Sequence, residues 1–139
     1  MTDCVIAIDQ GTTGTTALLL DQNVSVIASA NVEFPNYYPQ PGWVEHDVSE
    51  IWQSIEEAVT TALSKAGEVN IVAIGITNQR ETSLFWDAHS GEPIHRALVW
   101  QDRRTTDFCA ALKAEGHEEM LRSRTGLVVD PYFSGTKAK

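Results

Sequence analysis

Three apolar runs in quick succession constrain the fold of this chain more than any other feature. Residues 4–8, 15–20 and 24–34 are rich in β-branched and aliphatic side chains, and short polar segments separate them. Such runs are typical of strands. The connections are too short for the crossover that parallel neighbours need. The sequence therefore predicts a three-stranded antiparallel meander at the amino terminus.

An amphipathic helix and a further apolar strand follow the meander. Apolar side chains recur at helical spacing over residues 51–63, after Asp47, which is suited to cap the helix, and before Gly67, which is suited to end it in a left-handed conformation. Residues 71–76 then form another strand-like run. The order of meander, helix and returning strand predicts an α/β fold with a mixed sheet of the ribonuclease H or actin type. It differs from the strand–helix alternation of a Rossmann fold.

Shorter elements are predicted in the second half of the chain. They are strands at residues 83–86 and 94–100 and helices at residues 105–115 and 117–124. Gly116 and Gly126 are placed to end the two helices. Residues 36–46, which contain two prolines and a glycine, are predicted to form a loop with fixed bends.

Composition excludes several classes of protein. A formal net charge of −9 disfavours a nucleic-acid-binding surface, because it would repel a phosphate backbone. No apolar run is long enough to cross a bilayer, and the acidic amino terminus lacks the features of a secretory signal, so a cytoplasmic location is expected. Cys4 and Cys109 lack the clustering of a zinc site or a redox pair and are predicted to be buried apolar side chains.

A polar segment follows the first apolar run: Asp9-Gln10-Gly11-Thr12-Thr13-Gly14-Thr15-Thr16. Its glycines would let the backbone approach a ligand closely, and its threonines supply hydroxyls. An aspartate at a strand end can hold a hydrated magnesium ion. Neither the P-loop nor the dinucleotide-binding glycine pattern is present. From the residues alone, a phosphate-binding loop and a simple hairpin turn are equally good interpretations.

A second polar cluster, which contains Arg80 and Glu81, follows the fourth predicted strand. Polyol hydroxyls both donate and accept hydrogen bonds, so they suit a carboxylate beside a guanidinium. Taken alone, however, the pair is more typical of a surface ion pair. Trp100 and Tyr132 are similarly compatible with core packing or with a ligand. The Arg103-Arg104 pair could attract phosphate but is more typical of a solvated helix start.

Five segments together carry a family resemblance. They are Asp9-Gln10-Gly11-Thr12-Thr13, Gly42-Trp43-Val44-Glu45-His46-Asp47, Gly75-Ile76-Thr77-Asn78-Gln79-Arg80-Glu81-Thr82, Val99-Trp100-Gln101-Asp102-Arg103-Arg104-Thr105 and Asp130-Pro131-Tyr132-Phe133-Ser134-Gly135-Thr136-Lys137. In this order they resemble glycerol kinases, which belong to a wider group of sugar and polyol kinases with two actin-like domains. The first segment is shared across that group, whereas the third and fifth are close to diagnostic of glycerol kinases. The resemblance implies that residues 1–139 are the amino-terminal part of the first actin-like domain. A second, adenosine-binding domain would lie outside them.

The resemblance also implies roles for the candidate residues. The residues that would contact glycerol, by hydrogen bonds or as a wall for its carbon chain, are Arg80, Glu81, Trp100 and Tyr132. Those that would contact or lie near the nucleotide phosphates are Gln10, Gly11, Thr12, Thr13, Gly14 and Thr16. Asp9 would hold Mg²⁺ through water. No residue of this chain is implied to be the general base.

The implied reaction transfers the γ-phosphoryl group of ATP to glycerol and yields sn-glycerol 3-phosphate and ADP. Two features depart from the family pattern. Better-known members carry an arginine at the position of Thr16, and threonine cannot supply its charge. Family members are also several times longer. Two alternatives stay open, namely a kinase for another polyol or sugar and a non-catalytic binding or scaffold protein, and the sequence leaves open whether the chain forms a homo-oligomer.

Overall fold

The computed structural model describes residues 1–139 and divides them into two compact units. Unit 1 comprises Met1–Pro35 and Asp47–Gln79, and unit 2 comprises Asn36–His46 and Arg80–Lys139. The elements in chain order are strands β1 (Thr2–Gln10), β2 (Gly14–Asp21), β3 (Val26–Glu33) and β4 (Glu45–His46), helix α1 (Val48–Ala66), strands β5 (Val69–Asn78) and β6 (Ala97–Leu98), and helices α2 (Thr106–Ala114), α3 (Glu118–Thr125) and α4 (Ser134–Lys137). No helix combines the length and apolar character that crossing a membrane requires.

Unit 1 is built on a four-stranded sheet in the order β3-β2-β1-β5. Strand β2 pairs antiparallel with both β1 and β3, whereas β1 pairs parallel with β5. The predicted meander and the predicted mixed sheet are therefore confirmed. That residues 1–139 form part of a first actin-like domain stays a prediction.

Helix α1 packs on one face of this sheet because its small residues allow a close approach. Ala58 and Ala62 are no more than 1% exposed and join a core that contains the inward-facing aliphatic residues of β1 and β2. Asp47 caps the helix, since its Oδ1 accepts a hydrogen bond from Ser49 N at 2.9 Å. Gly67 ends the helix with φ 72° but ψ −141°, so its conformation has positive φ without being left-handed helical. The predicted cap at the amino terminus of α1 is confirmed, whereas at the carboxy terminus only the positive φ of Gly67 agrees with the prediction.

Unit 2 contains less sheet than predicted. Strands β4 and β6 have two residues each and pair with one another, and Ser83↔Leu98 and Trp86↔Pro93 are isolated bridges. The prediction of continuous strands at residues 83–86 and 94–100 is therefore wrong. Phe85, Trp86 and Ile94 are at least half exposed, so the apolar character of these segments does not mark a buried sheet face.

The helices of unit 2 agree better with the sequence. Helices α2 and α3 lie where they were predicted, and Gly116 and Gly126 both adopt positive φ beyond them. Helix α4 was not predicted, because four residues are too few to show a helical period. Cys4 and Cys109 are buried free thiols, as expected.

Strand β5 lies at the edge of the sheet and leaves an apolar strip uncovered. Ile74 and Ile76 pair with Ile6 and Ile8 of β1, and paired residues share a sheet face. Helix α1 packs mainly on β2 and β3, so Ile6 and Ile8 are buried whereas Ile74 and Ile76 are 61% and 72% exposed. Residues 71–76 carry no charge. An apolar, uncharged edge strand is a template for association with another chain.

We expect the isolated chain to self-associate through β5. Light scattering over a concentration series should show an apparent mass that rises with concentration, and Ile74→Lys should suppress the rise because charge on an edge strand opposes pairing. Val24→Lys is a matched control, since Val24 is exposed in the turn before β3 and away from this edge. A monomer at high concentration with slow hydrogen exchange along residues 71–76 would contradict the prediction.

Candidate phosphate and polyol sites

The segment predicted to bind phosphate is the tight connection between β1 and β2. Residues 11–13 make the turn, and Gly11 N donates a hydrogen bond to Gly14 O at 2.9 Å. A Cβ added at Gly14 would lie 2.8 Å from the carbonyl oxygen of Val32, and one added at Gly11 would lie 3.1 Å from Gly14 O. A side chain at Gly14 would therefore clash with the backbone of β3, whereas one at Gly11 would crowd the turn itself.

Two glutamine side chains brace the same loop. Gln10 is buried, and its Nε2 donates to Gly11 O at 2.7 Å. Gln79 Nε2 donates to Gly11 O at 2.9 Å and to Gln10 Oε1 at 3.3 Å. Gln10 therefore shapes the loop, and its contact with phosphate stays a prediction. Gln79 was not predicted to contact this loop, although it lies just after β5, which runs parallel to β1.

Asp9 and Thr16 lie opposite one another on the sheet face that points away from α1. They are cross-strand partners, and the alternate residues of β1, including Ile8 and Gln10, face the core instead. Thr16 Oγ1 accepts a hydrogen bond from Asn31 Nδ2 at 2.9 Å. Asp9 and Thr16 therefore supply oxygen atoms but no positive charge.

The donor set suits a hydrated cation better than a directly bound one. No group of three or more His, Cys, Asp or Glu side chains is placed to hold a metal ion. Asp9 is exposed at the end of β1, and Mg²⁺ typically keeps several water molecules and is held by one or two carboxylates together with substrate phosphates. The residues present therefore fit the water-mediated role predicted for Asp9.

Three of the four predicted glycerol-binding residues come together in unit 2. The rings of Trp100 and Tyr132 meet edge to face with centroids 5.9 Å apart. Lys137 Nζ donates to the carbonyl oxygens of Tyr132 at 3.0 Å and of Glu81 at 3.3 Å. Arg80 directly precedes Glu81 and is exposed, and no ion pair joins the two. The structure thus groups Glu81, Trp100 and Tyr132 and leaves the guanidinium of Arg80 without a fixed partner.

Glu81 is held in an unusual conformation. Its φ of 64° lies in the left-handed region, which residues other than glycine seldom adopt. Its Oε2 accepts hydrogen bonds from the Oγ and the N of Ser134, at 2.7 and 2.8 Å. The bond from the Ser134 hydroxyl, followed by that from the Ser134 amide, holds the pKa of Glu81 below its ordinary value. Glu81 is therefore an ionised acceptor at neutral pH, and its Oε1 remains available to a ligand.

A buried charge cluster supports the segment that follows Trp100. Asp102 is fully buried, and its Oδ2 accepts from Val44 N at 2.7 Å and from Arg104 Nη2 at 2.9 Å. The same Nη2 donates to Glu45 Oε1 at 2.7 Å. Burial alone would raise the pKa of Asp102, but hydrogen bonds from Arg104 and Val44 together hold it below its ordinary value. The cluster fixes the loop before β4 against the segment after β6.

The two neighbouring arginines have different roles. Arg104 is mostly buried in the cluster and stacks on the ring of Trp43 at 3.8 Å, so the interpretation of both arginines as a solvated helix start is wrong for Arg104. Arg103 is half exposed and pairs with Asp130 at 2.9 Å. Asp130 Oδ1 also accepts from Tyr132 N at 2.8 Å and thereby fixes the turn that carries Tyr132.

An apolar pocket of about 340 Å³ lies elsewhere in unit 2. Its walls include Phe108 of α2, Leu121 of α3 and Phe133, but none of the predicted glycerol-binding residues. A polyol needs several hydrogen-bond partners, and these walls supply few. We therefore do not assign glycerol to this pocket.

The mixed sheet, with a meander, a helix, a returning strand and a glycine-bearing hairpin after its first strand, places the chain in the class of actin-like folds that sugar kinases share. The model of the N-terminal domain of the FGGY family of carbohydrate kinases matches residues 4–139. The chain belongs to this family.

Individual relatives narrow the relationship. A glycerol kinase of Rhodospirillum centenum is 56% identical over 137 residues, which are 97% of this chain and 28% of that protein. The crystal structure of Plasmodium falciparum glycerol kinase with ADP matches with a TM-score of 0.91 at 31% identity. The match covers 98% of this chain and 28% of the Plasmodium chain. The structure of a xylulose kinase from Rhodospirillum rubrum matches with a TM-score of 0.90 at 29% identity, over 96% of this chain and 28% of the xylulose kinase chain. The chain thus spans 28% of the length of these relatives, and the predicted resemblance to the amino-terminal portion of glycerol kinases is confirmed.

Proposed function

We propose that this chain forms part of an enzyme that transfers the γ-phosphoryl group of ATP to glycerol, giving sn-glycerol 3-phosphate and ADP. The observation that carries the proposal is the grouping of Glu81, Trp100 and Tyr132 in unit 2, where the two rings are in contact and Lys137 Nζ joins the carbonyl oxygens of Glu81 and Tyr132. The identity of 56% to a glycerol kinase favours glycerol over a sugar as the acceptor. A cytoplasmic location remains a prediction.

The polyol site, which comprises Arg80, Glu81, Trp100 and Tyr132, offers complementary partners for glycerol. Oε1 of Glu81 can accept from one or two hydroxyls, while the Arg80 guanidinium and the Tyr132 phenol can donate to hydroxyl oxygens. The indole of Trp100 can pack against the C–H groups of the carbon chain, which need no hydrogen-bond partner. A ligand that carries hydroxyls on adjacent carbons uses all of these groups at once.

The proposed phosphate loop, residues 9–16, supplies backbone amides and hydroxyls but no cation. Gly11, Thr12, Thr13 and Gly14 would hold the phosphates of ATP, with Gln10 and Thr16 beside them. Residues 9–16 contain no lysine or arginine. Phosphoryl transfer depends mainly on positioning and on neutralising charge. We propose that Mg²⁺, held by Asp9 through water, supplies that positive charge when bound, and we assign no general base within these residues.

A substrate screen on the full-length protein tests the proposal. ADP release from MgATP should depend on glycerol and stay near background with D-xylulose or gluconate, because the identity of 56% to a glycerol kinase favours glycerol as the acceptor. Omission of the acceptor and chelation of the metal with EDTA are the controls. Efficient turnover of xylulose would make the protein a sugar kinase. Absence of turnover with every acceptor would favour the non-catalytic alternative.

A further inference from the structure

Lys137 is a buried lysine whose location calls for an explanation. It is 7% exposed, and its Nζ forms no ion pair and donates instead to the backbone carbonyls of Tyr132 and Glu81. Burial lowers the pKa of Lys137, whereas the charges of Asp102 and Glu81 act in the opposite direction. An ammonium group is seldom buried unless hydrogen bonds compensate for its lost hydration. Both compensating bonds lead to residues of the polyol site.

Glu81 needs such support at its backbone as well as at its side chain. A left-handed conformation at a non-glycine residue persists only where the surroundings fix it. The carbonyl oxygen of Glu81 accepts from Lys137 Nζ, with a long contact of 3.5 Å from Ser83 Oγ. Its carboxylate is fixed separately, by the two hydrogen bonds from Ser134 to Oε2. Ser134 and Lys137 are the first and last residues of α4, so this one short helix fixes both the carboxylate and the backbone carbonyl of Glu81.

We propose that Ser134 and Lys137 are positioning residues of the polyol site. Ser134 occupies one carboxylate oxygen of Glu81 and so presents the other to the ligand. Lys137 ties the backbone of Glu81 to that of Tyr132 and so fixes the spacing of two ligand-binding side chains. Neither residue is assigned a direct contact with the substrate. The inference rests on the proposed function, because it assumes that Glu81 and Tyr132 bind glycerol.

Michaelis constants measured on the full-length protein separate positioning from general stabilisation. Ser134→Ala and Lys137→Met should each raise KM for glycerol about tenfold, as expected for losing a hydrogen bond that involves a charged group, while KM for ATP changes less than about twofold. Ser134→Thr keeps the hydroxyl and should restore a KM for glycerol close to that of the unaltered protein. Ser123→Ala and Lys139→Met are matched controls, because both residues are exposed and neither contacts Glu81.

A double-mutant cycle tests whether Ser134 acts through Glu81. In a Glu81→Ala background, Ser134→Ala should change KM for glycerol less than about twofold, because the carboxylate that it positions is gone. Additive effects of the two substitutions would overturn the role of Ser134. Equal increases in both Michaelis constants, accompanied by a lower melting temperature, would reduce both residues to structural roles.

These experiments distinguish failure of the proposed glycerol-binding role of Glu81 from failure of the proposed positioning role of Ser134 and Lys137. If Glu81→Ala alone leaves KM for glycerol unchanged, the assignment of Glu81 to glycerol is wrong. If Glu81→Ala raises it but Ser134→Ala and Lys137→Met do not, the positioning inference alone is wrong. Should Lys137→Met fail to fold, the Ser134 variants, which differ by one hydroxyl or one methyl group, still decide the role of Ser134 and with it the inference.

Discussion

The isolated 139-residue chain should show no measurable glycerol-dependent release of ADP. No residue in it is assigned as the general base, and loss of a positioned base alone typically lowers the rate by about 10²- to 10⁴-fold. Residues 9–16, the proposed phosphate loop, also contain no lysine or arginine. A chain that matches 28% of its relatives' length is therefore expected to lack the groups that complete the reaction.

A coupled assay of ADP release checks this expectation at equal molar concentrations of the isolated chain and the full-length protein. Circular dichroism on the same sample should show that the isolated chain is folded, so that inactivity is not a result of unfolding. Reactions without glycerol correct for background ATP hydrolysis. Turnover by the isolated chain near that of the full-length protein would show that a catalytic base lies within these residues.

The sequence was sufficient to predict unit 1 because each of its elements follows a clear period. The runs at residues 4–8, 15–20 and 71–76 all became strands that are longer by a few residues, and α1 begins at the predicted cap. These elements share one core, to which Ile6, Leu19 and Ala58 contribute. The agreement is incomplete, because Val26 of β3, Trp52 of α1 and the uncovered strip of β5 are apolar yet exposed, and apolar character alone does not reveal which face or edge is covered.

Unit 2 could not be predicted in the same way because its structure depends on contacts between side chains rather than on regular periods. Phe85 and Ile94 are apolar yet exposed, which misled the strand prediction. The strands that do form, β4 and β6, have two residues each and show no alternation. The buried cluster of Glu45 and Arg104 joins residues that are 59 positions apart, and nothing in the local sequence indicates their pairing.

In the candidate sites, too, contacts between residues far apart in the sequence could not be predicted. The family resemblance indicated Glu81, Trp100 and Tyr132, and the structure places them together. It did not indicate Ser134, which lies 53 positions from its partner Glu81. Ser134 and Lys137 both lie in the fifth motif segment, but the motif does not show that they contact Glu81, and only the distances in the fold reveal those contacts.

The full-length Glu81→Ala variant should lose glycerol affinity far more than ATP affinity. Removing the carboxylate leaves the glycerol hydroxyls and the Ser134 donors without an acceptor, at a cost of about 1–3 kcal/mol, which corresponds to a roughly 5- to 150-fold higher KM for glycerol. Arg80→Ala should have a similar effect through the loss of its donors. Glu92→Ala and Arg122→Ala are matched controls at exposed positions of the same unit. An unchanged KM for glycerol in both site variants would refute the assignment of this pair.

The pH dependence of KM for glycerol provides an independent check on the charge of Glu81. Because hydrogen bonds from Ser134 lower its pKa below the ordinary value of 4.5, the carboxylate stays ionised at neutral and mildly acidic pH. KM should therefore be constant from pH 8 to about pH 5 as far as Glu81 is concerned, and should rise only when the pH falls through the lowered pKa. Glu81→Gln keeps one carbonyl acceptor but not the charge, so its KM should be raised at every pH and should lack the rise in acid. A Gln variant with the same acid rise as the unaltered protein would show that another group titrates there.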